Sequence, residues 1–256
     1  MKDQRTVKLY DSMTDVDNQF IQEAAEAPTI KAAKFSMLKK WGAIAACLCL
    51  ALTLVVSMSH TNDVIQLSEN SSNVKVSYTK KAPEVTGEAC LIHLTEEELF
   101  THFNTAVVKG TVENIQNIEL DFNGDKEYRA IAKIKVENVQ RGTCQPGEII
   151  SVLLPCPIGE NMDSTTCNTI STVKIGMNGI FMPVIYDSEN SLWEQNGAKL
   201  YQKDIADYGF ADGQRYMFLD TENGLVFDRN AYKSIEDAST LEEIEEYIAA
   251  MLSKIG

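Results

Sequence analysis

Residues 41–58, WGAIAACLCLALTLVVSM, are eighteen consecutive positions without a charged side chain, in a 256-residue chain that carries 23 Lys and Arg and 37 Asp and Glu. At ~1.5 Å rise per residue a helix over this run is about 27 Å long, close to the ~30 Å hydrocarbon thickness of a bilayer, and Leu38 or slight thinning supplies the rest. The run therefore reads as one transmembrane helix. Lys31, Lys34, Lys39 and Lys40 crowd its N-terminal side, whereas no Lys or Arg follows it until Lys75. Positive charge stays on the cytoplasmic side, which puts residues 1–40 inside the cell and everything from about residue 60 outside. A cleaved signal peptide fits less well, because about forty residues precede an apolar run longer than its usual core. Lipidation at Cys47, suggested by Ile44-Ala45-Ala46-Cys47, also fits less well, since the apolar run continues well past that cysteine.

Four segments follow: a cytoplasmic arm at 1–40, the span at 41–58, a stalk at 59–90 and an outer domain at 91–256. The charge divides with them. Residues 1–40 hold seven Lys/Arg and six Asp/Glu, a net of +1, while residues 59–256 hold sixteen and thirty-one, a net of −15. An outer part this acidic repels nucleic acid and anionic lipid or polymer surfaces. Its membrane partner is the bilayer around residues 41–58.

In the arm, Thr14 or Asp15 can cap a short helix with Val16, Phe20, Ile21 and Ala24 on one face, ended by Pro28. A helix of two or three turns is marginal alone, so its apolar stripe suits docking, with Val16, Phe20 and Ile21 as the contact residues; a solvated tail is the alternative. The pattern Leu9-Tyr10-Asp11, Asp15-Val16-Asp17, Ile21-Gln22-Glu23-Ala24-Ala25 and then the Lys-rich stretch into Trp41-Gly42-Ala43 resembles the N-terminal region of bacterial single-pass anti-sigma-factor-like membrane proteins. That resemblance implies an arm that grips a sigma factor and an outer domain that senses a cue. Residues 1–40 contain no His and no Cys, which excludes the zinc-binding version of such an arm.

The stalk is rich in Asn, Ser, Thr and Lys, with Val74, Val76 and Tyr78 alternating as one edge strand. From Thr95 onward the pattern is mainly β with flanking helices. Thr95 and Glu98 form a capping box ahead of Leu99, Phe100 and Phe103. Strands are predicted over 106–120 and 128–139, joined by a turn at Asn123-Gly124, then over 149–154 and 176–186. Residues 190–213 read as loop, and Asn223-Gly224 marks a second hairpin. Thr240 and Glu243 cap a last helix whose stripe of Leu241, Ile244, Ile248, Met251, Leu252 and Ile255 faces the core. The order AVVKGTVENI, YRAIAKIKVENVQRG, QPGEIISVLLP and GMNGIFMPVIY resembles the strands of OB-like or netrin-module-like barrels, with Lys109-Gly110, Arg141-Gly142 and Pro146-Gly147-Glu148 as the matching residues. The resemblance implies an OB-like barrel closed by the C-terminal helix.

Chemical signals are sparse. The histidines are His60, His93 and His102, and they fall into no catalytic spacing; no phosphate loop, dinucleotide fingerprint or zinc-protease motif is present. The chain reads as a non-enzyme without cofactor or metal. Asp121, Asn123, Asp125 and Glu127 alternate like calcium ligands, but Gly124 falls at the wrong loop position and the hairpin turn accounts for them better. Cys90, Cys144, Cys156 and Cys167 permit three disulfide pairings, of which 156–167 brackets a polar loop. Trp193 and Tyr201 read as packing or binding aromatics, with packing in the core the favoured role. Two functions are expected: a membrane signal transducer whose arm binds a sigma factor, or an anchored surface-binding or inhibitor-like module with a passive arm. An anchored hydrolase fits least.

Overall fold

The longest regular feature is a hairpin of two strands, β3 (Val107–Phe122) and β4 (Asp125–Arg141). A two-residue turn joins them, with Asn123 at φ 60° and Gly124 at φ 94°; both lie in the left-handed region that makes Asn-Gly the favoured pair there. The hairpin belongs to a computed structural model that describes residues 64–80, 91–159 and 169–256. The expected arm, with Val16, Phe20 and Ile21, and the expected span lie outside the described residues, as do Cys90 and Cys167. Among the described residues no helix is long and apolar enough to cross a membrane.

The domain is mainly β, a curled half-barrel sheet with a C-terminal helix. Before the long hairpin come β1 (Val64–Ile65), β2 (Val74–Tyr78) and helix α1 (Glu96–Thr101). After it come β5 (Ile149–Leu154), β6 (Asn178–Phe181), β7 (Val184–Ile185), β8 (Leu192–Gln195), β9 (Ala198–Tyr201), β10 (Tyr208–Gly209), β11 (Met217–Thr221), β12 (Gly224–Val226) and helix α2 (Leu241–Ile255). β4 pairs antiparallel with β5, and β5 runs parallel to β10, which pairs antiparallel with β7. β6 pairs with the first half of β3, and β2 with the second half of the same edge.

That last pairing corrects the stalk. β1 and β2 belong to the sheet, β2 being the strand expected at Val74, Val76 and Tyr78, and Val76 is fully buried against β3. The alternation made the strand itself legible but not its place in the sheet, because its partners in β3 lie forty or more positions along the chain. The single strand expected over 176–186 is two, interrupted at Met182 and Pro183, where proline has no N–H to give a ladder. The Pro183 carbonyl accepts instead from the Ala106 amide at 2.8 Å.

One extra residue decides how β3 is used. Val112 pairs with Ile134 but Asn114 with Lys133, so Glu113 is a bulge. Before it, Val108 and Val112 point into the half-barrel with Ala132, Ile134, Val152 and Leu154. Beyond it the parity is reversed, and Ile118, Leu120 and Phe122 face outward into a second cluster with Val76, Ile131, Leu153, Ala198 and Leu200. Further irregularities near Lys109 and Val107 increase the coil of the sheet. There Gly110 lies opposite Gly179; a β-carbon on Gly110 would sit 2.3 Å from the Lys135 carbonyl oxygen, so only glycine permits this approach.

A third cluster lies under the helices. Both capping boxes form: Thr95 with Glu98 at α1 and Thr240 with Glu243 at α2. Leu241, Ile244 and Ile248 of α2 pack with Leu99 and Phe100 of α1 over Ile180 and Phe218. Tyr232 is the hub, with ring centroids 5.0 Å from Phe218, 6.2 Å from Tyr247 and 6.4 Å from Phe100. Met251, Leu252 and Ile255, at the helix end, pack only in part.

Candidate functional site

The outer face of β4 and β5 carries Arg129, Ile131 and Leu153, and β8 and β9 form a hairpin that covers most of it. This hairpin occupies the stretch expected to be loop. Its turn is Asn196-Gly197, with φ 47° and 73°, the same signal as Asn123-Gly124 and overlooked because the flanking strands are only four residues long. The two turn tips dock: Asn196 Nδ2 donates to the carbonyls of Phe122 and Asn123, each at 3.1 Å. Gln195 Nε2 donates to Asp125 at 2.7 Å.

What the hairpin leaves uncovered is a cleft of about 220 Å³. Leu153, Pro155 and Phe210 supply apolar surface; Trp193, Tyr186, Arg129 and Gln202 complete the wall. Trp193 is held by Phe122, with ring centroids 4.7 Å apart, and by the Arg129 guanidinium, 5.1 Å from the ring centre. Its indole N–H donates to Gln195 at 3.1 Å. The core reading of Trp193 thus accounts for only part of its surroundings, since it also walls the cleft.

Arg129 spends one nitrogen, Nη1, on the Tyr128 carbonyl at 2.9 Å and on Glu127 at 3.2 Å. Its Nε and Nη2 have no hydrogen-bond partner among the described residues. The Tyr186 hydroxyl donates to Gln202 Oε1 at 3.0 Å, which leaves the Gln202 amide nitrogen as a donor. Burial pushes the Tyr186 phenol well above its usual value, against an opposing pull from Arg129, so it stays a neutral donor at any physiological pH. The wall therefore combines spare donors, one neutralised cation and aromatic surface.

A larger hollow of about 530 Å³ lies between the turn at 171–177 and the β11–β12 hairpin, but no aromatic side chain lines it. The calcium-like alternation is a turn: the Asp121 carboxylate accepts from the Gly124 amide at 2.6 Å, and Asp125 and Glu127 face Gln195. No group of three or more His, Cys, Asp or Glu among the described residues is placed to hold a metal ion. His102 caps the end of α1 with its ring on Phe103, and His93 is exposed.

Cys144 is a buried free thiol beside the Tyr208 hydroxyl, and burial pushes its pKa up. Cys156 is also buried, in the same interior cluster. The barrel-like signature residues serve structure. Lys109 binds Glu245 of α2 at 2.7 Å, and Arg141 reaches the carbonyls of Phe100 and Thr105, each at 2.8 Å, closing the end of α1. Val16, Phe20, Ile21, Cys90 and Cys167 are outside the described residues and join none of this geometry.

Comparison with protein-family models, with curated proteins and with solved structures yields no match to this chain.

Proposed function

We propose that the chain is a single-pass membrane protein whose extracytoplasmic domain is an OB-like module that binds a neutral, polyhydroxylated ligand of the saccharide class. The OB-like reading rests on the strand order β3-β4-β5-β10-β7, with β6 continuing from β7 back to β3 and the one parallel pair at β5–β10. In such barrels ligands lie on the second and third strands, between the first hairpin turn and the loop before the last strand. Here those are β4, β5, the Asn123-Gly124 turn and the segment bearing β8 and β9. Fold likeness alone carries no function; the observation that does is the cleft wall itself. Trp193 and Phe210 suit the apolar face of a sugar ring, while Arg129 and Gln202 offer donors to hydroxyl oxygens. Glu127 neutralises Arg129, and the net charge of −15 over residues 59–256 opposes a polyanion.

The two tryptophans make the test direct. In the full chain with Trp41→Phe, in detergent, Trp193 is the only indole. Titration with chitotetraose, maltotetraose and cellotetraose is expected to give a saturable emission change with at least one of them, lost in Gln202→Ala. No saturable response to any of the three overturns the saccharide assignment.

The arm supports a second component. The resemblance of residues 9–48 to anti-sigma-factor-like proteins favours an arm that grips a sigma factor through Val16, Phe20 and Ile21 and responds to the outer domain. A pull-down of the intact protein, compared with one lacking residues 1–30, is expected to retain a sigma factor only with the arm. Equal recovery, or none, leaves an anchored binding module with a passive tail.

A further inference from the structure

We propose that residues 68–73 form a latch that couples the cleft to the part of the domain nearest in sequence to residues 41–58; the inference rests on the binding reading above. The cleft-lining Gln202 begins a single 3₁₀ turn, Gln202–Asp204, which follows directly on β9 of the Trp193 hairpin. The other end of that turn, Asp204, accepts through one carboxylate oxygen from the Ser68 amide at 3.1 Å, the Ser68 hydroxyl at 2.8 Å and the Ser71 hydroxyl at 2.7 Å. The Ser71 oxygen accepts in turn from the Tyr201 amide at 3.0 Å. Ser72 and Lys199 exchange both backbone hydrogen bonds, at 2.8 and 2.9 Å, and Asn73 donates to the Gly197 carbonyl.

Thus the segment that leads into the domain from the N-terminal side is fastened to the one hairpin and turn that wall the cleft. These bonds are mostly at the surface, where water can replace them, so the latch can open without unfolding the sheet. Tyr186 occupies Gln202 Oε1, so a ligand is bound by the amide nitrogen and adds to the turn rather than displacing its existing bond. A ligand that steadies Gln202 steadies Asp204, two residues on in the same turn, and by reciprocity a closed latch favours the ligand.

The experiment uses the full chain with Trp41→Phe, in detergent, with and without Asp204→Ala, and with Asp220→Ala as a distant carboxylate control. Measurements without and with ligand separate the latch from the binding site. Without any ligand, acrylamide quenching of Trp193 is expected to rise about twofold in Asp204→Ala and to stay unchanged in Asp220→Ala, with Asp204→Asn, which keeps an acceptor oxygen, in between. With the saccharide that gives the tightest titration, affinity is expected to fall at least about fivefold in Asp204→Ala, the low end of ordinary coupling, and the ligand is expected to slow hydrogen exchange of the Ser68 and Ser72 amides. Unchanged quenching in Asp204→Ala overturns the latch, whatever the ligand does. Saccharide binding to the parent protein with equal affinity in Asp204→Ala overturns the coupling and leaves the binding reading standing. Altered quenching with no saccharide bound sinks the ligand assignment alone.

Discussion

At the scale of single residues, Arg215 and Asp212 are the most consequential pair. Both are buried, their side chains meet at 2.8 Å, and Arg215 Nη1 also donates to the Ile92 carbonyl at 2.8 Å. Arg215→Ala leaves Asp212 buried without its cation and is expected to cost ~3–5 kcal/mol in urea unfolding; a loss within experimental error would show that water replaces the guanidinium. Tyr232→Phe tests the hub more gently. It removes one hydrogen bond, to the Arg215 carbonyl at 2.7 Å, keeps the ring contacts, and is expected to cost about 1 kcal/mol. Cys144, buried with its thiol pKa raised, is expected to resist alkylation by iodoacetamide at pH 8 until denaturant is added; rapid native labelling would contradict its placement. None of these partners was legible in the sequence. Asp212 and Arg215 are three apart in an irregular stretch, and only the chain's path shows that both are excluded from water.

At the scale of elements, the capping boxes and the turns at Asn123-Gly124 and Asn223-Gly224 were legible because each is closed within four residues. Thr95 with Glu98 and Thr240 with Glu243 begin their helices as the spacing predicts. Hydrogen bonds from the Thr95 amide hold Glu98 below its ordinary carboxylate value, and those from the Ser239 and Thr240 amides do the same for Glu243. A lowered folded pKa means stability that is fully present above the unfolded value of about 4.3 and lost as pH falls through the folded one. Glu243→Ala is therefore expected to lower the melting temperature at pH 7, with the gap to wild type narrowing below pH 4; a gap constant down to pH 3 would show that the charge of the carboxylate contributes nothing. The bulge at Glu113 is another matter. Deleting Glu113 restores strict alternation along β3 and turns Ile118, Leu120 and Phe122 into the half-barrel interior, so the variant is expected to lose cooperative unfolding by circular dichroism. Retained cooperativity would mean that the bulge migrates. Apolar positions spaced two apart occur on both sides of Glu113, and the sequence alone did not reveal that they serve opposite faces.

At the scale of the molecule, the proposed placement of the domain outside the membrane rests on the apolar run at 41–58 and on the lysines that precede it. Protease added to intact spheroplasts is expected to remove residues 62–256 and leave a fragment carrying residues 1–58; full protection would reverse the orientation. Length of the apolar run, distribution of lysines, net charge, helix caps and the turns at Asn123-Gly124 and Asn223-Gly224 are properties of neighbouring residues, and the sequence by itself determined them, together with a mainly β domain ending in a helix. The tertiary structure alone decided that β1 and β2 join the sheet beside β3, that the hairpin at Trp193 docks on the tip of the β3–β4 hairpin, and that Arg129, Tyr186 and Gln202 share one wall. The physical reason is range. Gln195 finds Asp125 seventy positions away, and Ser68 finds Asp204 across 136. Contacts so distant along the chain are selected by the curl of the sheet and the parity of one bulge, and no local pattern encodes either.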